Sequence, residues 1–158
     1  MVRLVPMTEK EFQAYRRRSV KEYAQEHIRA GNWHPSEALQ KAEKEFLQLL
    51  PDGVASKNHY LFSLEDDHAG VQVGMIWFAV RDEASHPSAF VYDFLIYEEF
   101  RRRGYGRQTL TALEEKTKEL GLDTISLHVF GHNQAAIALY QQAGYETTSL
   151  YMAKKLSV

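Results

Sequence analysis

The 158-residue chain contains no cysteine. That absence excludes disulfides, thiolate metal sites and any route through a cysteine-bound covalent intermediate. It also lacks an apolar run long enough to span a bilayer, and its first residues, MVRLVPMTEKEF, lack the apolar core of a signal peptide. The expected setting is therefore the cytoplasm, with no membrane partner. Nor is there a surplus of one charge. The 19 Lys and Arg stand against 21 Asp and Glu, a formal net charge of −2. This argues against a general polyanion binder, although Arg16-Arg17-Arg18 and Arg101-Arg102-Arg103 are locally basic, and no nucleic-acid partner is expected. Repeats and low-complexity linkers are missing too. What is left, with 44% apolar and 25% charged residues, has the size and composition of one globular domain with its own core. Residues 1–158 are accordingly read as a single domain.

The periodicity divides the chain into elements. Arg3 to Met7 reads as a short strand, and Thr8-Glu9-Lys10-Glu11 as a capping box opening a long helix. Phe12, Tyr15, Ser19, Tyr23, Ala24, His27 and Ile28 form the expected buried face of that helix, until Gly31 stops it. A second helix is expected from Pro35-Ser36, carrying Leu39, Ala42, Phe46 and Leu49 inward and ending before Pro51. The period then changes to two. His59 to Glu65, Val71 to Arg81 and Ser88 to Tyr97 are β-branched and aromatic runs separated by DDHAG and DEASHP, the turn chemistry of an antiparallel meander. Helical spacing returns after Gly104, with Leu110, Leu113, Thr117 and Leu120 on one stripe and Gly121 as the stop. Thr124 to Val129 reads as a strand, Asn133 to Ala143 as a small-residue helix, and Tyr145 to Lys154 as a final strand or pair. The predicted order is β-α-α-β-β-β-α-β-α-β. This is an α/β (α+β) arrangement whose sheet is mostly antiparallel, with one parallel crossover between Ser88 and Val129.

The stretch RRRGYGRQTL, Arg101 to Leu110, lies at the junction of a strand and a helix. The first turn of such a helix presents unpaired N–H groups and the positive end of the helix dipole, which suits an anion. Gly104 and Gly106 clear side chains where a ligand would approach the backbone, and Arg101, Arg102, Arg103 and Arg107 add charge. GYGRQT has neither the Lys-Ser or Lys-Thr pair of a P-loop nor the third glycine of a dinucleotide fingerprint.

At these residues the sequence resembles the GNAT superfamily of N-acetyltransferases, whose acyl-CoA signature [QR]-x-x-G-x-[GA] is matched by Arg101-Arg102-Arg103-Gly104-Tyr105-Gly106. A second family segment is resembled by HNQAAIALYQQAGYE, with Asn133, Tyr140 and Gly144-Tyr145 in order. The resemblance covers about the whole chain. It implies a sheet whose fourth strand bulges and splays from the fifth, and acetyl-CoA as cosubstrate. The backbone of Leu95, Ile96 and Tyr97 would run beside pantetheine, with the Ile96 N–H near the thioester carbonyl as oxyanion donor. The Arg101 to Arg107 loop, Tyr105 included, would bind the pyrophosphate. Asn133 would contact the pantetheine arm, and Tyr140 would protonate the departing thiolate. Apart from the resemblance, Asn133 also reads as an N-cap and Tyr140 as a core aromatic with a polar tip. The implied reaction is direct transfer of acetyl to a primary amine in a ternary complex. A GNAT-fold sensor or scaffold that binds acyl-CoA without turnover is the other reading.

Asp93, between Tyr92 and Phe94 in a central strand, is costly to bury without partners. It reads either as a general base for the acceptor ammonium or as a structural acceptor for a loop or arginine. The acceptor, a small-molecule or peptide amine, is expected near the first helix pair at Tyr23, Glu26 and Trp33, where Glu26 with Trp33 could receive a cation. His128 and His132 are four apart on strand and loop, so no metal site is expected. Oligomeric state is left open, a homodimer included.

Overall fold

The computed structural model describes residues 1–83 and 86–157. They fall into two compact units, Met1–Leu127 and His128–Val158. The first unit is a five-stranded sheet with strands in sequence order. The strands are β1 (Val2–Pro6), β2 (His59–Asp66), β3 (Val71–Glu83), β4 (His86–Ile96) and β5 (Ile125–Leu127). The first four are antiparallel neighbours, and β5 pairs with β4 in parallel. The mixed sheet therefore agrees with the expected fold class. Of the DEASHP turn, Ala84 and Ser85 lie outside the described residues.

Helix α1 (Glu9–Arg29) opens with the expected capping box. Thr8 Oγ1 accepts from the Glu11 N–H, and the Glu11 carboxylate accepts from the Thr8 N–H. At its other end Gly31 N–H donates to the Ile28 carbonyl and Asn32 N–H to the His27 carbonyl. This paired closure satisfies the last carbonyls and ends the helix. Its buried residues are Phe12, Tyr15, Val20 and Ala24, so Val20 takes the inward place expected of Ser19.

Helix α2 (Ala38–Leu49) starts later than Pro35-Ser36. Its inward stripe is Ala38, Ala42 and Phe46, continued by Leu50 just past the helix end, whereas Leu39 and Leu49 are exposed. A stripe at i, i+4, i+8 leaves residues one position away turned by about 100° to its edges, which is why the two leucines miss the core.

Strand alternation assigns the two faces. Leu61, Met75 and Trp77 pack with α1 and α2 in one apolar cluster. The intervening Phe62, Leu64, Ile76 and Phe78 are buried on the other face. Helix α3 (Tyr105–Glu119) lies on that side, with Lys116 Nζ 5.9 Å from the Phe62 ring centre and Leu110 and Leu113 buried. Among the described residues no helix is long and apolar enough to cross a membrane.

The second unit contains α4 (Gln134–Gln142). The strand expected over Tyr145 to Lys154 does not form, since residues 145–157 have no regular structure. Leu150, Tyr151, Met152 and Leu156 are exposed. β-branched and aromatic residues favour a strand only where a neighbouring ladder receives their backbone groups.

Candidate active site

The middle of β4 is irregular in one place. Trp77 stands opposite Asp93 and Phe78 opposite Val91, so Tyr92 is an extra residue with no cross-strand partner. Such a bulge brings two successive side chains toward one face. Tyr92 stacks on Trp77 with ring centres 4.7 Å apart, and Asp93 accepts a hydrogen bond from the Tyr15 hydroxyl of α1 at 2.7 Å, so both lie on the α1 face. The expected bulge is therefore present.

Beyond it the strand is bare on one edge. β5 pairs only with Ala89, Phe90 and Val91, which leaves Tyr92 to Ile96 without a β5 neighbour among the described residues. Tyr97 N–H donates to the Val73 carbonyl of β3 at 2.8 Å. Because backbone groups alternate along a strand, the N–H and C=O of Ile96 point away from β3, onto the uncovered edge. Of the three residues expected beside pantetheine, Ile96 thus presents its backbone there, while Tyr97 N–H is committed to β3. The Leu95 carbonyl is turned to β3 as well. It lies so near Gly74 that a Cβ there would collide with it, and that Cβ would also sit 3.1 Å from Ile96 Cα. Gly74 therefore lets β3 close against this stretch of β4, a role its sequence context did not reveal.

The loop that follows returns to the same edge. Arg101 Nε donates to the Ile96 carbonyl at 3.0 Å. Arg102 has φ 65°, and Gly104, the N-cap of α3, has φ 84°. The left-handed turn at Gly104 aims the first N–H groups of α3 outward, and no side chain caps them. A Cβ built on Gly104 would meet nothing within 4 Å, so open space lies above the turn. Uncapped N–H groups, open space and the exposed Arg101, Arg102, Arg103 and Arg107 fit a phosphate group. Tyr105 faces another way. Its hydroxyl donates to Asp66 Oδ2 at 2.6 Å, anchoring the helix start to β2 and drawing the Asp66 carboxyl down to about 2.

Asp93 is mostly enclosed. Burial raises its carboxyl above the usual range, against the opposing pull of the Tyr15 hydroxyl, the Phe94 N–H and the nearby Arg18 charge. Tyr15, 4% exposed, is raised well above a free phenol by burial and then by the Asp93 charge. Close to Tyr92, His59 Nδ1 accepts from Trp77 Nε1–H at 3.0 Å, and burial lowers its pKa.

The expected acceptor residues gather where α1 turns toward α2. The His27 and Trp33 rings stack at 3.9 Å, and Tyr23 meets both edge-on. Tyr23 is raised to about 12 by burial, then by its hydrogen bond to Glu45 and the charges of Glu45 and Glu26. Trp33 is less available than expected, since His27 covers one face and Lys41 Nζ approaches to 6.0 Å from the ring centre. Sequence reasoning missed Glu45, His59 and the Tyr15 hydroxyl. Helical spacing showed Tyr15 as core but gave no signal of an acceptor 78 positions away.

Within the second unit, Asn133 caps α4, its Oδ1 accepting from the Ala136 N–H at 3.3 Å. Tyr140 is half-buried, its ring centre 5.6 Å from that of Tyr145. Among the described residues no three His, Asp or Glu side chains gather as a metal group.

A mixed sheet with a bulged fourth strand, an edge beyond it that β5 does not pair and a glycine-capped helix start is the arrangement expected of the GNAT acetyltransferases. The acetyltransferase (GNAT) family model matches residues 14–145, and the chain belongs to that family. It is 39% identical over 155 residues, 98% of this chain and 99% of the other, to the uncharacterized N-acetyltransferase YycN of Bacillus subtilis (strain 168). The crystal structure of YycN superposes with a TM-score of 0.86 over all of both chains. A second protein of that organism, the uncharacterized N-acetyltransferase YdgE, is 39% identical over 97% of each chain. The fold alone is shared with AAC(6')-Iy in complex with the bisubstrate analogue CoA-S-monomethyl-acetylneamine. That match has 18% identity and a TM-score of 0.61, and covers 100% of this chain and 99% of the other.

Proposed function

We propose that the protein transfers the acetyl group of acetyl-CoA to a primary amine by direct attack within a ternary complex. The observation that supports this most is the continuity of one edge. The Ile96 N–H lies on the side of β4 that β5 leaves uncovered, and Arg101 ties that same residue to the loop opening α3. Thioester and pyrophosphate can then be received along a single path, the first by a backbone donor and the second by a helix start.

In the proposed reaction the acceptor ammonium gives a proton to Asp93, and the neutral amine attacks the thioester carbonyl carbon. The C–N bond forms and the C–S bond breaks. The developing oxyanion is held by the Ile96 N–H, and Tyr140 protonates the thiolate, the role implied for it by the matching family segment, regaining through water the second proton that the acylated nitrogen sheds. Without a cysteine, no thiol acyl-enzyme can form. Tyr23, with Glu45 and Glu26 about its hydroxyl, offers negative charge to a cationic acceptor.

The test is an acetyl-CoA-dependent transfer screen over polyamines, amino acids, aminoglycosides and peptide N-termini. It can be read by thiol release, because the protein has no thiol of its own to add background. Transfer to one amine class, with CoA raising the melting temperature, is the expected result. Thermal stabilisation by CoA without transfer to any amine class would favour the sensor reading, and no stabilisation at saturating CoA would overturn the cofactor assignment.

A further inference from the structure

Asp93 has an unusual holder. Its carboxylate is gripped from α1 by the Tyr15 hydroxyl at 2.7 Å, from its own strand by the Phe94 N–H, and is approached by the Arg18 charge. From β3 it faces the uncharged Trp77, and the Nδ1 of His59 on β2 is committed to that same Trp77. Among the described residues Tyr15 is therefore the neutral side chain that donates to Asp93. Tyr15 is itself held, since the Ser19 hydroxyl hydrogen-bonds to it. Tyr15 and Arg18 also line a cavity of about 140 Å³, whose wall mixes Glu11, Ser63 and Gln72 with Met7, Ala14 and Met75, and its polar groups can hold water.

Resting on the reading of Asp93 as base, we propose that Tyr15 is its positioning residue. The tyrosine hydroxyl keeps the Asp93 carboxylate ionised and oriented on the bulge, and connects it to the cavity beneath α1 through which the acceptor's proton leaves. The reaction demands such an exit. An ammonium carries three protons, the amide keeps one and the CoA thiol takes one, so each turnover releases one proton that a buried carboxylate cannot retain. After the transfer, protonated Asp93 passes its proton to the Tyr15 oxygen as the hydroxyl gives up its own proton to water in the cavity; the new O–H then turns back to Asp93, which restores both groups.

The experiment is the pH profile of kcat/KM for the amine. Tyr15→Phe removes a donor to an ionised acceptor, a loss equivalent to about one pH unit or somewhat more in the carboxyl's pKa. The acid limb should move up by that amount, with transfer falling about tenfold below the limb, recovering toward wild type at alkaline pH, and with KM for acetyl-CoA unchanged. Asp93→Asn should remove that limb, leaving a slower transfer that rises only at high pH as free amine accumulates. A Tyr15→Phe limb that stays at the wild-type pH while Asp93→Asn abolishes it overturns the role of Tyr15 and leaves Asp93 as base. A limb that survives at the wild-type pH in Asp93→Asn overturns the base assignment itself. If Tyr15→Phe does not fold, 3,5-difluorotyrosine placed at position 15 keeps the hydroxyl and strengthens its donation. It should then move the limb down, and an unmoved limb again refutes the proposal.

Discussion

Replacing Gly74 by alanine tests the geometry of the β4 edge with a single methyl group. The added Cβ would meet the Leu95 carbonyl oxygen and lie 3.1 Å from Ile96 Cα, both of them backbone atoms that no rotamer change can move. The strands must therefore separate, or the Leu95 peptide must rotate. Overpacking of this kind costs about 1–3 kcal/mol, and a backbone clash belongs at the upper end. For a chain of this length about 3 kcal/mol corresponds to a fall in melting temperature of roughly 6–12 °C. The displacement has a second consequence because it acts on the residue whose N–H is proposed to receive the oxyanion. Loss of one well-placed oxyanion donor costs about a hundredfold or more in kcat, so transfer should fall further than stability alone explains when assayed well below the lowered melting point. The measurements are thermal unfolding by circular dichroism and steady-state acetyl transfer at 15 °C. A melting temperature within 2 °C of wild type would show that β3 and β4 leave room for a methyl group at this point. A lowered melting temperature with unchanged kcat would separate Ile96 from the chemistry.

Gly104→Val places a β-branched residue at φ 84°, a strained conformation. The open space above the turn means the added methyls meet ligand rather than protein. CoA affinity should fall tenfold or more, about 1.4 kcal/mol, measured by calorimetry, and equal affinity would put the phosphates elsewhere. Asp66 provides a stability test in acid. Its folded pKa of about 2 lies below the ordinary aspartate value, so its stabilisation is complete above about pH 4 and lost as pH falls through 2. Tyr105→Phe should therefore lower the melting temperature most above pH 4, with the difference shrinking toward pH 2. A difference constant between pH 2 and 6 would refute the assignment to this hydrogen bond.

Much of the fold was legible because local rules and tertiary packing agree. The Thr8 to Glu11 capping box, the period-two runs of β2 to β4 and the Gly104 start of α3 all lie within a few residues of their expected places. The signature of the Arg101 to Gly106 loop was readable for the same reason, since a helix start binds anions with its own consecutive backbone. Leu39 and Leu49 were misplaced because the helical period fixes a stripe but not which of several apolar stripes faces the sheet. Tyr145 to Lys154 has the residue types of a final strand or pair and yet forms none, because a strand exists only with a partner.

The sequence by itself determined most of the elements, their order and the loop signature of the acetyltransferase family, because periodicity, caps and turn chemistry act over distances of a few positions. Only the tertiary structure decided how Asp93 is held. A bulge at Tyr92, visible only against the register of β3, turns that carboxylate onto the α1 face, where a tyrosine 78 residues away donates to it. Gly74 acquires its meaning the same way, from a carbonyl on the neighbouring strand. Charge state, orientation and close approach depend on which atoms end up adjacent in space, and a linear pattern carries no record of that adjacency.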